Sequence, residues 1–83
     1  MTVSYHLQKF AIMKNSQITS LGITIDADQP AFLNLRSNKG SGQVINRNSL
    51  GFEMNCTIYG EQGEIQFFPT KTAAKAALVE KLK

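Results

Sequence analysis

Leu50-Gly51-Phe52-Glu53-Met54-Asn55-Cys56-Thr57-Ile58-Tyr59-Gly60-Glu61-Gln62-Gly63-Glu64-Ile65-Gln66-Phe67-Phe68-Pro69-Thr70 is the stretch that decides the fold. Leu50, Phe52, Met54, Cys56 and Ile58 alternate with Gly51, Glu53, Asn55, Thr57 and Tyr59. That period of two predicts a strand with one buried face. Gly60 to Gly63 reads as a turn, and Glu64 to Phe68 as a second strand. Pro69 ends it, because proline has no N–H to give to a ladder.

The chain then changes period. Thr70 or Thr72 can cap a helix by accepting from a free backbone N–H. Ala73, Ala74, Ala76 and Ala77 favour helix, and Ala74, Ala77, Leu78 and Leu82 fall near one face. Lys81 and Lys83 lie in the last turn, where cations complement the helix dipole. About a dozen residues form no stable helix alone, so this one must dock on the sheet.

Upstream, Val3 to Lys14 reads as a long first strand. Its apolar parity slips between Val3, Tyr5, Leu7 and Phe10, Ile12, as at a bulge or in a strand buried on different faces along its length. Asn15-Ser16-Gln17 is the expected turn, and Ile18 to Asp26 the second strand. Asp26 to Pro30 breaks it, and Ala31 to Ser37 forms the third. Asn38-Lys39-Gly40-Ser41-Gly42 reads as a flexible loop, Gln43 to Asn46 as a short returning strand, and Arg47-Asn48-Ser49 as another loop. These elements make a single α+β domain over residues 1–83. Its expected architecture is a small antiparallel sheet of about five strands, mostly a meander, with one C-terminal helix packed on one face. A small curled barrel plugged by that helix is the alternative.

Composition bounds the function. With 42% hydrophobic residues in 83, the chain has the makings of one core. A chain of this size buries only ~60–65% of its unfolded surface, so modest stability is expected. The formal charge of +3 is a mild bias toward phosphate or acidic surfaces. A single cysteine, Cys56, rules out an internal disulfide framework and a multi-cysteine zinc site. The opening Thr2-Val3-Ser4-Tyr5-His6 has no secretion-signal pattern, and no apolar run approaches the ~20 residues of a membrane span. A cytoplasmic location without membrane contact is the resulting expectation.

No catalytic constellation stands out. His6 is the sole histidine, with no nucleophile or orienting acid near it in sequence; Cys56 lies on an apolar strand face, where a thiol behaves as a small hydrophobe. Asp26 and Asp28 lack the further ligands of a calcium loop, and Glu53, Glu61 and Glu64 read as hairpin surface. The expectation is a non-enzyme with no cofactor and no metal.

Two surfaces carry functional weight. Phe67 and Phe68 are neighbours in a strand, so they point to opposite faces. One helix covers one face, which leaves the other ring, with Phe10 and Ile12, for a protein partner or a second copy. The leading reading is therefore a small binding module acting by protein–protein contact, as a regulator, inhibitor or assembly factor. The alternative is a nucleic-acid-binding accessory protein. It rests on Arg36, Lys39 and Arg47 in an acid-free stretch, with free N–H groups at Gly40 and Gly42 beside Lys39 to cradle phosphate.

Overall fold

The computed structural model describes residues 13–83. Strands β1 (Thr24–Asp28), β2 (Phe32–Ser37), β3 (Gly40–Asn46) and β4 (Phe52–Ile58) run as an antiparallel meander. Two short strands, β5 (Glu61–Gln62) and β6 (Gln66–Phe68), both pair antiparallel with β4, one toward each end of it. Helix α1 (Asn15–Ser20) precedes β1, and α2 (Lys71–Leu82) follows β6 and packs on the sheet. The fold is a small α+β domain with a six-stranded antiparallel sheet among the described residues.

Register determines what each face carries. Leu33 pairs with Val44 and Val44 with Met54; Leu35 pairs with Gly42 and Gly42 with Cys56. These rows face α2, whose Ala74, Leu78, Val79 and Leu82 complete the buried core. Gly42 is required where it stands. A Cβ there would overlap Leu78 Cδ1 and come within 3.0 Å of the Asn55 carbonyl, so only glycine lets the helix lie this close.

The C-terminal helix has the cap that the sequence offered. Thr70 accepts from the Ala73 N–H at 3.1 Å, and its own backbone is extended, as an N-cap residue requires. Thr72 lies inside the helix. Thr70→Ala should therefore lose about 1 kcal/mol, or ~4–8 °C of melting temperature, while Thr72→Ala leaves it nearly unchanged. Thermal unfolding followed by circular dichroism distinguishes the two.

Three local expectations are corrected. The turn expected at Asn15-Ser16-Gln17 and the strand expected over Ile18 to Asp26 give way to α1, a turn and β1, which runs on to Asp28 through the expected break. Gln17 reaches back to accept the Lys14 N–H at 2.8 Å, Ile18 is driven fully into the core, and Gly22 at φ +84 stops the helix. Six residues hold no helix unaided, so burial of Ile18 is what fixes it. Second, the turn expected at Gly60 to Gly63 is Tyr59-Gly60. Both have positive φ, 53 and 83, the two-residue geometry that matches strand twist. Glu61 and Gln62 thus become strand residues, and the returning strand starts at Gln66 rather than Glu64. Third, the expected Gly-Ser-Gly loop is strand, as described below. The first expected strand, with His6, Phe10 and Ile12, lies outside the described residues except for Met13 and Lys14, which lead into α1.

Candidate functional site

The sheet face opposite α2 carries three rows of side chains. Phe32, Ile45, Glu53 and Phe67 are successive register partners across β2, β3, β4 and β6. Asn34, Gln43 and Asn55 form a second row, and Arg36, Ser41, Thr57 and Gln62 a third. The period of two that buries Leu33, Leu35, Val44, Met54 and Cys56 places these residues on the other side.

Phe67 and Phe68 divide between the faces. Phe68 pairs with Phe52 and packs against the core, whereas Phe67 stands beside Glu53 with 55% of its surface exposed. Glu53 departs from its expected place on the hairpin surface. It lies near the start of β4, far from the hairpin tip, and only 7% of it is exposed. Arg47 Nε sits 3.3 Å from one of its carboxylate oxygens, and Asn55 Nδ2 donates to the other at 3.2 Å. Such partners are what a buried carboxylate needs. Glu61 and Glu64 are exposed near the hairpin tip.

The charges of this face are largely matched. A bulge between Ile25 and Ala27 turns Asp26 toward Arg36, which donates through Nε and a terminal nitrogen at 3.0 Å each. Those hydrogen bonds and the guanidinium charge hold the Asp26 carboxyl below its usual range and raise Arg36. At Asp28, partial burial pushes the carboxyl up, but hydrogen bonds from Lys71 and Asn15 and the charges of Lys71 and Lys75 outweigh it. Lys71 Nζ lies 3.3 Å from Asp28 and 3.0 Å from the Gln29 carbonyl, tying the start of α2 to the end of β1.

Both lowered carboxyls give the same acid response. Below the ordinary aspartate value of ~3.9 the unfolded chain takes up protons that the folded chain refuses, so unfolding becomes easier as pH falls. Stability from these pairs is fully present above that value and disappears as pH drops through the folded values. Asp26→Asn and Asp28→Asn should each flatten this acid limb, as read by urea midpoints from pH 5 to pH 2. An unchanged limb in both variants would show that the pairs make no such contribution.

The expected basic cradle is not formed. Gly40, Ser41 and Gly42 are residues of β3, with register partners in β2 on one side and β4 on the other. A central strand engages its backbone groups in the two ladders, so no N–H nest is available there. Only Asn38 and Lys39 form the turn, and the Lys39 N–H goes to Ser37 Oγ at 3.1 Å. Arg36 faces Asp26 and Arg47 faces Glu53, which leaves Lys39 alone of the three cations without a carboxylate among the described residues. Cys56 is buried under α2, and Asp26 and Asp28 turn to Arg36 and Lys71. Among the described residues no three His, Cys, Asp or Glu side chains gather as metal ligands, and no helix is long and apolar enough to cross a membrane.

Sequence reasoning passed over the amide row. Asn34, Gln43, Asn55, Arg36, Ser41 and Thr57 line a trough of about 410 Å³ on this face. The Oδ1 of Asn34 is shielded from solvent and accepts no hydrogen bond among the described residues. The signal was present as three amides at polar strand positions, but their alignment needs the register of two hairpins. Comparison with known proteins found no matching family model, no similar curated protein and no similar solved structure.

Proposed function

We propose that this domain is a non-enzymatic binding module that contacts a partner protein through the sheet face opposite α2. One observation carries the reading. Phe67 is held by β6 on that face, beside the row of Ile45 and Phe32, with more than half of its surface exposed. Large apolar side chains grouped on a surface mark interaction sites, and aromatic rings are their frequent anchors. The core gives no competing reason for this ring, since Phe68 already serves it.

Affinity capture with the full chain, followed by binding measurements with the purified partner, tests the proposal. Phe67→Asp should weaken binding by about thirtyfold or more, since truncating an interface anchor removes ~2 kcal/mol or more. Tyr59→Asp is the control, because Tyr59 is more exposed than Phe67 but stands at the hairpin turn. Equal binding by wild type and Phe67→Asp would remove this face as the contact surface.

A further inference from the structure

We infer that the trough beside Phe67 takes an extended, uncharged segment of a polypeptide, hydrogen-bonded across the row Asn34, Gln43 and Asn55. This deepens the partner-binding proposal and rests on it. It adds the chemistry of what the partner inserts.

Each of the two acids on this face, Asp26 and Glu53, is matched by an arginine, Arg36 and Arg47, and the trough floor between the pairs is built of amides and hydroxyls. Among the described residues a charged ligand would find no free opposite charge there, whereas a neutral hydrogen-bonding one meets no repulsion. A carboxamide both donates and accepts, as does each peptide unit of a chain. Among the described residues, Asn55 Nδ2 bonded to Glu53 is the one hydrogen bond made by the three side-chain amides. Among the described residues, the rest of their capacity has no side-chain partner and can serve a ligand.

Asn34 supplies the independent sign. Its Oδ1 is buried with no donor among the described residues, which costs free energy until a donor arrives. Rotation about the terminal torsion of asparagine is soft, so the amide can turn that oxygen into the trough when a peptide N–H approaches. Dimensions agree as well. Neighbouring strands are ~4.8 Å apart, so the row from β2 to β4 spans ~10 Å, the length of about three extended residues. A segment crossing the strands along this row brings its next side chain toward Phe67, which is diagonal to Asn55 across β4 and β6.

A random-sequence linear peptide library displayed on phage, selected against the intact protein, supplies the probe. The best peptide is then synthesised and titrated by fluorescence anisotropy against wild type, Asn34→Leu, Gln43→Ala and Phe67→Ala. Circular dichroism melting confirms that each variant is folded; Gln43→Ala carries the test if Asn34→Leu does not fold. The expected result is an uncharged peptide whose affinity falls about tenfold in Asn34→Leu and less in Gln43→Ala. Its binding should depend little on salt and should shift the side-chain amide resonances of Asn34 and Gln43. A peptide that needs Phe67 but ignores both amide substitutions overturns the trough and leaves the partner face standing. Indifference to all three substitutions, or no binder from the library, overturns the trough and withdraws support from the face. An acidic peptide with steep salt dependence also overturns the inference. So does a concentration-dependent dimer that shields these amides, which would give the trough to a second copy of this chain.

Discussion

Gly40→Val should be the most damaging single substitution in the sheet. Gly40 is the first residue of β3 and pairs with Ser37 on one side and Ile58 on the other. A Cβ at this position would fall onto the Thr57 carbonyl oxygen, with the Thr57 carbonyl carbon at 2.8 Å and the Ile58 Cα at 2.9 Å. All three obstacles are backbone atoms of β4, so no side-chain rotation relieves them. The strands must separate at the end of the ladder that runs from Gly40–Ile58 to Asn46–Phe52. Overpacking of this kind costs ~3 kcal/mol or more, a large part of the ~4–12 kcal/mol typical of a domain this size. The melting temperature should fall by more than ~12 °C. Gly22→Ala is the comparison: Gly22 has φ +84, but nothing lies within 4 Å of its added Cβ. It should lose only the ~1 kcal/mol that a left-handed backbone imposes on alanine. Equal melting shifts for the two variants would contradict the steric account.

Leu78→Ala should have a similar effect for the opposite reason. Leu78 is completely buried in the centre of α2 and lies over Gly42. Removing its branch leaves a cavity between helix and sheet, which costs ~2–5 kcal/mol, or roughly 10–30 °C of melting temperature. The contact with Gly42 makes a sharper test. Gly42→Ala alone overfills the same space and should cost ~1–3 kcal/mol. In the double variant, the new methyl occupies part of the room that Leu78 vacated, so the two losses should fall short of their sum by ~0.5 kcal/mol or more. Relief is partial, because the Asn55 carbonyl and Cys56 Cβ still lie 3.0 Å from the new methyl. Strict additivity in urea unfolding would mean that helix and sheet do not share this space.

The candidate face was legible in the sequence only in part. That Phe67 and Phe68 must divide between two faces follows from strand geometry alone, before any coordinate is known. Which ring enters the core depends on register: Phe68 opposite Phe52 goes in, and Phe67 opposite Glu53 stays out. The basic stretch shows the reverse difficulty. Glycines, a serine and cations in a row read as a loop, yet Gly40 and Gly42 are strand residues chosen for close approach to β4 and to Leu78. Nor does local sequence reveal that Arg36 and Arg47 have partners. Asp26 is ten residues from Arg36 and reaches it through a bulge, and Glu53 is buried where alternation alone suggested an exposed position.

Local periodicity was enough for three long elements: the strand read over Leu50 to Tyr59, formed as Phe52 to Ile58; the strand read over Ala31 to Ser37, formed from Phe32; and the helix after Thr70, formed as Lys71 to Leu82, whereas β3 was read only in its second half. Periodicity is local and repeated over several residues, so it survives without knowledge of neighbours. Tertiary structure decided three things that depend on neighbours. It made α1 out of a segment expected as the turn Asn15-Ser16-Gln17 and the start of a strand at Ile18, because burial of Ile18 outweighs weak local preference. It matched the arginines with carboxylates. It also aligned Asn34, Gln43 and Asn55 into one row beside Phe67, since three side chains from three strands meet only when both hairpin registers are set.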